Sequence, residues 1–218
     1  MTPPAGDVEL LASGRDADVF ALDAQRVLRR YRDGGDVTAE VAVMAHVAAD
    51  GFPVPEVFAA DGADLVMTRV AGPTMLTALV SGDVRVDDAA RTLAALLHRL
   101  HAVPPRGATG SVLHRDLHPD NVILSPTGPV VIDWRDTTEG PPDLDVALTA
   151  LIIAQVAVDD SPLTGIATAV LTAFLAHARG NPAEQLGHAV TFRRANPTLT
   201  EREAALLTEA TRLVRAQV

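Results

Sequence analysis

The sequence of 218 residues contains no cysteine and no lysine. Without cysteine there can be no disulfide framework, no thiolate metal site and no thiol nucleophile. Without lysine, all eighteen basic residues are arginine, so any grip on phosphate must come from guanidinium groups. Basic residues are also few relative to acids, and the formal net charge of −10 excludes a surface that binds nucleic acid by neutralising its phosphates. Long apolar runs are missing too. The most apolar stretch, "DVALTALIIAQVAV" (145–158), is shorter than the roughly 18 residues of a membrane span, and aspartates bracket it. It reads as a buried helix, so no membrane partner is expected. The first thirty residues lack the basic start and apolar run of a signal peptide. A soluble, cytoplasmic protein is expected, with its oligomeric state left open.

What is present is enough apolar material, 48% of the chain, for one ample core or for two small lobes sharing one. Three segments, "VELLASG", "ADVFALD" and "RVLRRYR", read as strands between residues 8 and 32. The breaker "DGGD" follows, with Asp36 as a candidate N-cap. Val37, Val41, Met44 and Ala48 then recur at helical spacing. "GFPVPEV" ends that helix, because proline cannot continue it. "DGADLVMTRVAG" reads as a turn, a buried strand and an exit at Gly72. Beyond it Val86, Ala90, Leu93, Leu97 and Leu100 form one apolar stripe. "NVIL", "SPTG" and "VVID" together read as a β-hairpin. From Pro142 onward helices are expected, broken at "DDSP", "RGNP" and "ANPTLT". The strand-rich front gives way to a helical back near residue 71.

Between these parts lies "HRDLHPDN" (114–121), which packs two histidines, an arginine, two aspartates and an asparagine into eight positions. The hairpin brings Asn121 and Asp133 to one end although twelve positions separate them. One reading is a structural turn whose Asp and Asn side chains bond neighbouring backbone. A second is a metal-dependent hydrolase with His114, Asp116 and His118 as ligands on one face of a strand; Pro119 argues for a loop there. A third is phosphoryl transfer, in which a carboxylate orients and deprotonates a hydroxyl while an Asp and an Asn hold Mg²⁺.

The third reading carries a family resemblance. "HRDLHPDN" has the form H-R-D-x-x-x-x-N of a kinase catalytic loop, and "IDW" stands in the place of D-F-G. The sequence resembles the aminoglycoside phosphotransferase and choline kinase group, small-molecule members of the protein-kinase-like fold. "FPVPEV", "LVMTRVAG", "LLHRLHAVP" and "DLDVA" extend the resemblance over most of the chain. It implies an α+β, two-lobed fold, with a β-rich nucleotide-binding lobe over residues 1–71. A hinge would lie near 67–72, and a helical lobe over 72–218 would hold the catalytic loop and acceptor pocket. It implies ATP and Mg²⁺ as cofactors, Asp116 as the base and Asn121 and Asp133 as metal ligands. His118 would be a donor to the transferring phosphoryl group. Adenine would meet the hinge backbone between Thr68 and Val70, and Asp145 would brace the catalytic loop. Glu40 would pair with a phosphate-gripping cation on the third strand.

That cation is usually lysine, and here the choice lies between Arg29 and Arg30. Strand alternation lets only one of them face the phosphates, and "VLRRY" resembles the choline-kinase version that favours Arg29. Arginine keeps its charge and can bind phosphate bidentately. The phosphate loop, "ASGRDADVF", offers Gly14 alone, and Asp16 and Asp18 would repel phosphates if they faced inward. The expected activity is transfer of the γ-phosphate to a hydroxyl of a small molecule. Protein Ser/Thr phosphorylation and a kinase-like nucleotide-binding module without turnover are the alternatives. Only eleven residues (134–144) precede the "DVA" helix, too few for a peptide-docking activation segment. Residues 151–218 carry six acids and six arginines, which gives a polycationic acceptor no special support.

Overall fold

Arg29 and Arg30 show how the strand pattern resolves. In the computed structural model, which describes residues 9–107 and 109–218, five strands form an antiparallel sheet in the order β1-β2-β3-β5-β4. They are β1 (Leu10–Ser13), β2 (Ala17–Ala21), β3 (Arg26–Tyr31), β4 (Val57–Asp61) and β5 (Asp64–Thr68). Val8, the first residue of the expected first strand, lies outside the described residues. Val27, Arg29 and Tyr31 alternate onto one face and are buried. Arg30 points the other way, opposite Asp64 in the register, and its guanidinium bonds that carboxylate twice at 2.6 Å. Strand alternation thus separates two adjacent arginines onto opposite faces.

Helix α1 (Thr38–Ala49) covers the sheet and buries Val43, Met44 and Val47 together with Glu40. The N-cap position is Val37, not Asp36 as expected. Asp36 still accepts from the Thr38 amide at 2.8 Å, which satisfies one of the helix's orphan donors. Strand β4 falls partly in the segment expected only to end that helix. Its residues are largely exposed, so no buried face imposes the two-residue period that would reveal it. Gly72 ends the passage from β5 with φ 129°, and a Cβ there would stand 2.2 Å from the Leu124 carbonyl oxygen. Only glycine permits that approach.

The remainder is mainly helical: α2 (Met75–Ser81), α3 (Val86–Ala102), α4 (Pro142–Ala157), α5 (Thr164–His177), α6 (Pro182–Ala195) and α7 (Glu201–Arg215). The α3 stripe packs Ala90, Leu93, Leu97 and Leu100 inward, and each fully buried leucine is worth about 1.5–3 kcal/mol. α4 is buried on nearly every side, which explains its apolar sequence without a membrane. Among the described residues no helix is long and apolar enough to cross one. β7 (Val122–Ser125) and β8 (Gly128–Val131) form the expected hairpin. A second small ladder, β6 (Ser111–Leu113) with β9 (Thr138–Gly140), was not expected. Three-residue strands are too short to establish a period.

Candidate active site

The stretch 114–121 is a loop followed by one 3-10 turn, Pro119–Asn121, so the hydrolase arrangement on a strand does not form. His114 is fully buried, and its Nε2 donates to the Ile132 carbonyl at 3.1 Å. Its Nδ1 accepts from the Asp116 amide at 3.3 Å. Among the described residues no group of three or more His, Cys, Asp or Glu is arranged to hold a metal.

The loop is held from behind. Asp145, on the first turn of α4 and fully buried, accepts the His114 amide at 2.8 Å and the Arg115 amide at 2.7 Å. His101 of α3 lies 3.1 Å from the same carboxylate. Thr149 Oγ1 donates to the Leu117 carbonyl at 2.8 Å. Arg115 takes a left-handed backbone (φ 65°) that a non-glycine residue rarely adopts. Its Nε bonds the Asp136 carbonyl at 2.5 Å, and its guanidinium stacks 4.3 Å over the Phe192 ring.

This bracing holds Asp116 with its side chain partly exposed. Asn121 Nδ2 donates to the Asp116 carbonyl at 2.9 Å and to its Oδ2 at 3.2 Å. His118 Nε2 lies 3.7 Å from the same oxygen. Its Nδ1 accepts from the Asp120 amide at 3.3 Å, which leaves the proton on Nε2. Burial pushes the Asp116 carboxyl up, but nearby His118, His114 and Arg193 hold it below the ordinary carboxylate range.

Asp133 stands two residues past the hairpin, again with a left-handed backbone (φ 66°). Arg29 bonds it at 2.5 Å and Glu40 Oε1 at 3.0 Å, while the Trp134 amide donates to that same Oε1 at 3.2 Å and the Tyr31 hydroxyl to Oε2 at 2.7 Å. A chain of charge therefore runs from α1 through β3 to the end of the hairpin. Although burial pushes the Arg29 guanidinium down, the Asp133 and Glu40 charges outweigh it and raise its pKa.

The β1–β2 turn is less constrained by burial. Gly14 opens a turn closed by its amide on the Ala17 carbonyl at 2.9 Å. Nothing there requires glycine, since a Cβ would meet only ordinary contact at 3.5 Å. Asp18 is turned to Arg32 at 2.6 Å, and Asp16 lies 3.9 Å from Arg135, so arginines offset both acids. The Thr68 and Arg69 amides bond the Glu56 and Gln25 carbonyls at 2.9 and 2.7 Å.

Two residues beside Asp116 gave no signal in the sequence. Asp136 carries a carboxyl pushed up by burial and by the Asp116 and Asp133 charges, against Arg115. Arg193 reaches from α6 to within 3.5 Å of Asp116 Oδ1. Asp136 is simply one more acid in "DWRD", and Arg193 one of two adjacent arginines on a surface-seeking helix. Only tertiary structure singles them out.

Comparison with known proteins matches the same regions. A model of the APH phosphotransferase enzyme family matches residues 7–111 and 106–183. Among solved structures, a thermostable mutant of aminoglycoside phosphotransferase APH(4)-Ia in its apo form superposes with TM-score 0.66 at 14% identity, covering 97% of this chain and 94% of its own. The ternary complex of APH(2'')-IIa with streptomycin and ATP gives 0.59 at 14%, covering 96% and 93%. A choline/ethanolamine kinase family protein from Mesorhizobium loti gives 0.58 at 17%, covering 98% and 88%. No curated protein sequence matches the chain.

Proposed function

The chain belongs to the APH phosphotransferase enzyme family, and on that premise we propose that it moves the γ-phosphoryl group of Mg²⁺-ATP to a hydroxyl of a small molecule. The observation that carries this reading is the continuous ion-pair chain Glu40–Arg29–Asp133, ending on a left-handed aspartate. Such a chain spans the place where a triphosphate would lie, between a nucleotide-binding sheet and a metal carboxylate.

The donor set suits a hard divalent cation. Asp133 offers a half-buried carboxylate, and Asn121, whose Nδ2 is committed to Asp116, offers its amide oxygen. When bound there, Mg²⁺ would neutralise the developing phosphate charge. Arg29, kept in place by Glu40, would turn its fork toward the α- and β-phosphates. The hinge would take adenine through the Thr68 carbonyl and Val70, with the β1–β2 turn at Gly14 over the phosphates. Residues 1–71 would act as the nucleotide lobe and 72–218 as the acceptor lobe, hinged near 67–72.

In the transfer, the acceptor oxygen forms a bond to the γ-phosphorus as the bond to the β,γ-bridging oxygen breaks and ADP leaves. The hydroxyl proton passes to Asp116. Because that carboxylate is held below its ordinary range, it is ionised at neutral pH. Its main contribution is to orient the hydroxyl, with proton uptake late in the transfer. His118, carrying its proton on Nε2, would donate to the transferred group. A peptide acceptor fits poorly, because only eight residues (134–141) separate Asp133 from α4, and β9 occupies part of that interval.

The test is a Mg²⁺-ATP turnover assay with labelled nucleotide against aminoglycosides, macrolides, amino alcohols, sugars and generic proteins, with Asp116→Asn as the blank. Label should enter a small hydroxyl compound. Label entering only proteins would overturn the reading. In parallel, ATP at about 100 times its Kd should stabilise the fold by roughly 2.7 kcal/mol, only with Mg²⁺ or Mn²⁺ present, and Asp133→Asn should lose that shift.

A further inference from the structure

Arg193 is a buried cation with donors to spare. It lies near the C-terminus of α6 and is 7% exposed. A guanidinium carries five N–H donors and no acceptor. Its Nε donates to Gln155 Oε1 at 3.2 Å, and its Nη1 approaches Asp116 Oδ1 at 3.5 Å, the outer limit of a hydrogen bond. Among the described residues nothing else engages its two terminal nitrogens.

Nearby anions are already shared. Asp116 also faces Asn121 and His118. Glu203, whose backbone carbonyl anchors Gln155, has both carboxylate oxygens on Arg15. Burial therefore lowers the Arg193 pKa, with Arg15 adding repulsion, against the pull of Asp116, Glu203 and Asp136. A buried charge this thinly compensated is costly, and its fork geometry matches the paired oxygens of a carboxylate or phosphate.

We propose that Arg193 forms an oxyanion subsite beside Asp116, taking a carboxylate or phosphate oxygen from the acceptor or from the transferring phosphoryl group. The proposal rests on the phosphotransfer reading for its context. It disfavours an acceptor with an ammonium group next to the reacting hydroxyl, which would meet a like charge.

The experiment compares wild type, Arg193→Met, Arg193→Lys and, as a control, the exposed Arg194→Met. Melting is followed with glycerate, orthophosphate, glycerol or 3-amino-1,2-propanediol at equal concentration, with and without Mg²⁺-ADP. Affinities for ADP and AMP-PNP are measured alongside. Glycerate or orthophosphate should raise the melting temperature of wild type and Arg194→Met, while the neutral and cationic analogues should not. Arg193→Met should lose that rise and Arg193→Lys retain part of it. If the oxyanion is the transferring phosphoryl, Arg193→Met should weaken AMP-PNP by about ten- to hundredfold, the worth of a charged hydrogen bond, and leave ADP unchanged. If it belongs to the acceptor, both nucleotides keep their affinity and only the glycerate effect disappears. Arg193→Met matching wild type with both anions and both nucleotides would overturn the proposal. Failure of the phosphotransfer reading shows separately, as wild type lacking any Mg²⁺-dependent nucleotide shift, and the anion arms without nucleotide still judge Arg193.

Discussion

The catalytic loop and the β1–β2 turn flank the same proposed phosphate position but are held by different kinds of contact. Buried groups hold the loop through its backbone: Asp145 accepts the His114 and Arg115 amides, and Thr149 donates to the Leu117 carbonyl. Exposed arginine side chains hold the turn: Arg32 bonds Asp18 and the Gly14 and Arg15 carbonyls, and Arg15 pairs with Glu203. A buried bond to a charged group resists loss by about 1.5–3 kcal/mol, whereas an exposed pair is worth about 0–1 kcal/mol. The contrast is that of a fixed base facing an adjustable cover, which suits a site that must admit and release nucleotide.

The sharpest way to expose the fixed side is Asp116→Ala. Turnover should fall by about 10² to 10⁴, while the Mg²⁺-nucleotide melting shift survives; unchanged turnover would remove Asp116 from the chemistry. Asp145→Ala strips two buried amides of their acceptor and should cost about 2–6 kcal/mol in denaturant unfolding, at roughly 1–3 per amide. A loss below about 1 kcal/mol, the size expected of an exposed pair, would erase the distinction between loop and turn.

The same contrast can be tested within one strand. Arg29→Ala leaves Glu40 buried without its cation and should cost about 3–5 kcal/mol, whereas Arg30→Ala removes a largely solvated pair worth under about 1 kcal/mol. The reverse ranking in urea melts would mean the two side chains do not face as described. Smallest of all should be the effect of the Arg15–Glu203 contact, read by pH. Burial pushes the Glu203 carboxyl up, but Arg15 and the Thr200 amide and hydroxyl hold it at about 2, against an ordinary 4.5. A depressed folded-state pKa contributes stability that is complete above about 4.5 and disappears as pH falls toward about 2. Glu203→Gln should flatten that part of the acid-stability curve and leave stability near pH 4 to 5 slightly lower. An unchanged curve would show that the turn is not tied to α7 in solution.

Much of this arrangement was legible before any coordinates. Adjacent Arg29 and Arg30 on an alternating strand had to face opposite ways, and "NVIL" and "VVID", joined by a Ser-Pro-Thr-Gly turn, had to fold back on each other. Proline-containing breaks marked the last four helices within a few residues. What escaped detection lacked a local pattern. β4 has no buried face, and β6 and β9 are three residues each. Arg193 and Asp136 matter because of neighbours dozens of positions away, which no local spacing encodes. Glycine at position 14 suggested a phosphate cradle, yet the turn tolerates a side chain there, whereas Gly72 beyond β5 is a glycine with a steric duty.

The guanidinium of Arg29 has a practical consequence for anyone seeking to trap this protein on its nucleotide. Acyl-phosphate and sulfonyl-fluoride nucleotide probes owe their covalent capture in many kinases to a primary amine lying beneath the phosphates. In the proposed nucleotide site that position would hold Arg29, a delocalised, permanently charged group paired with two carboxylates, and the sequence contains no lysine. A survey that depends on lysine capture would pass over this chain, however tightly it held a nucleotide. Reagents that condense with guanidinium, such as arylglyoxals, are the labels its cleft invites, with nucleotide protection as the sign that they have found Arg29.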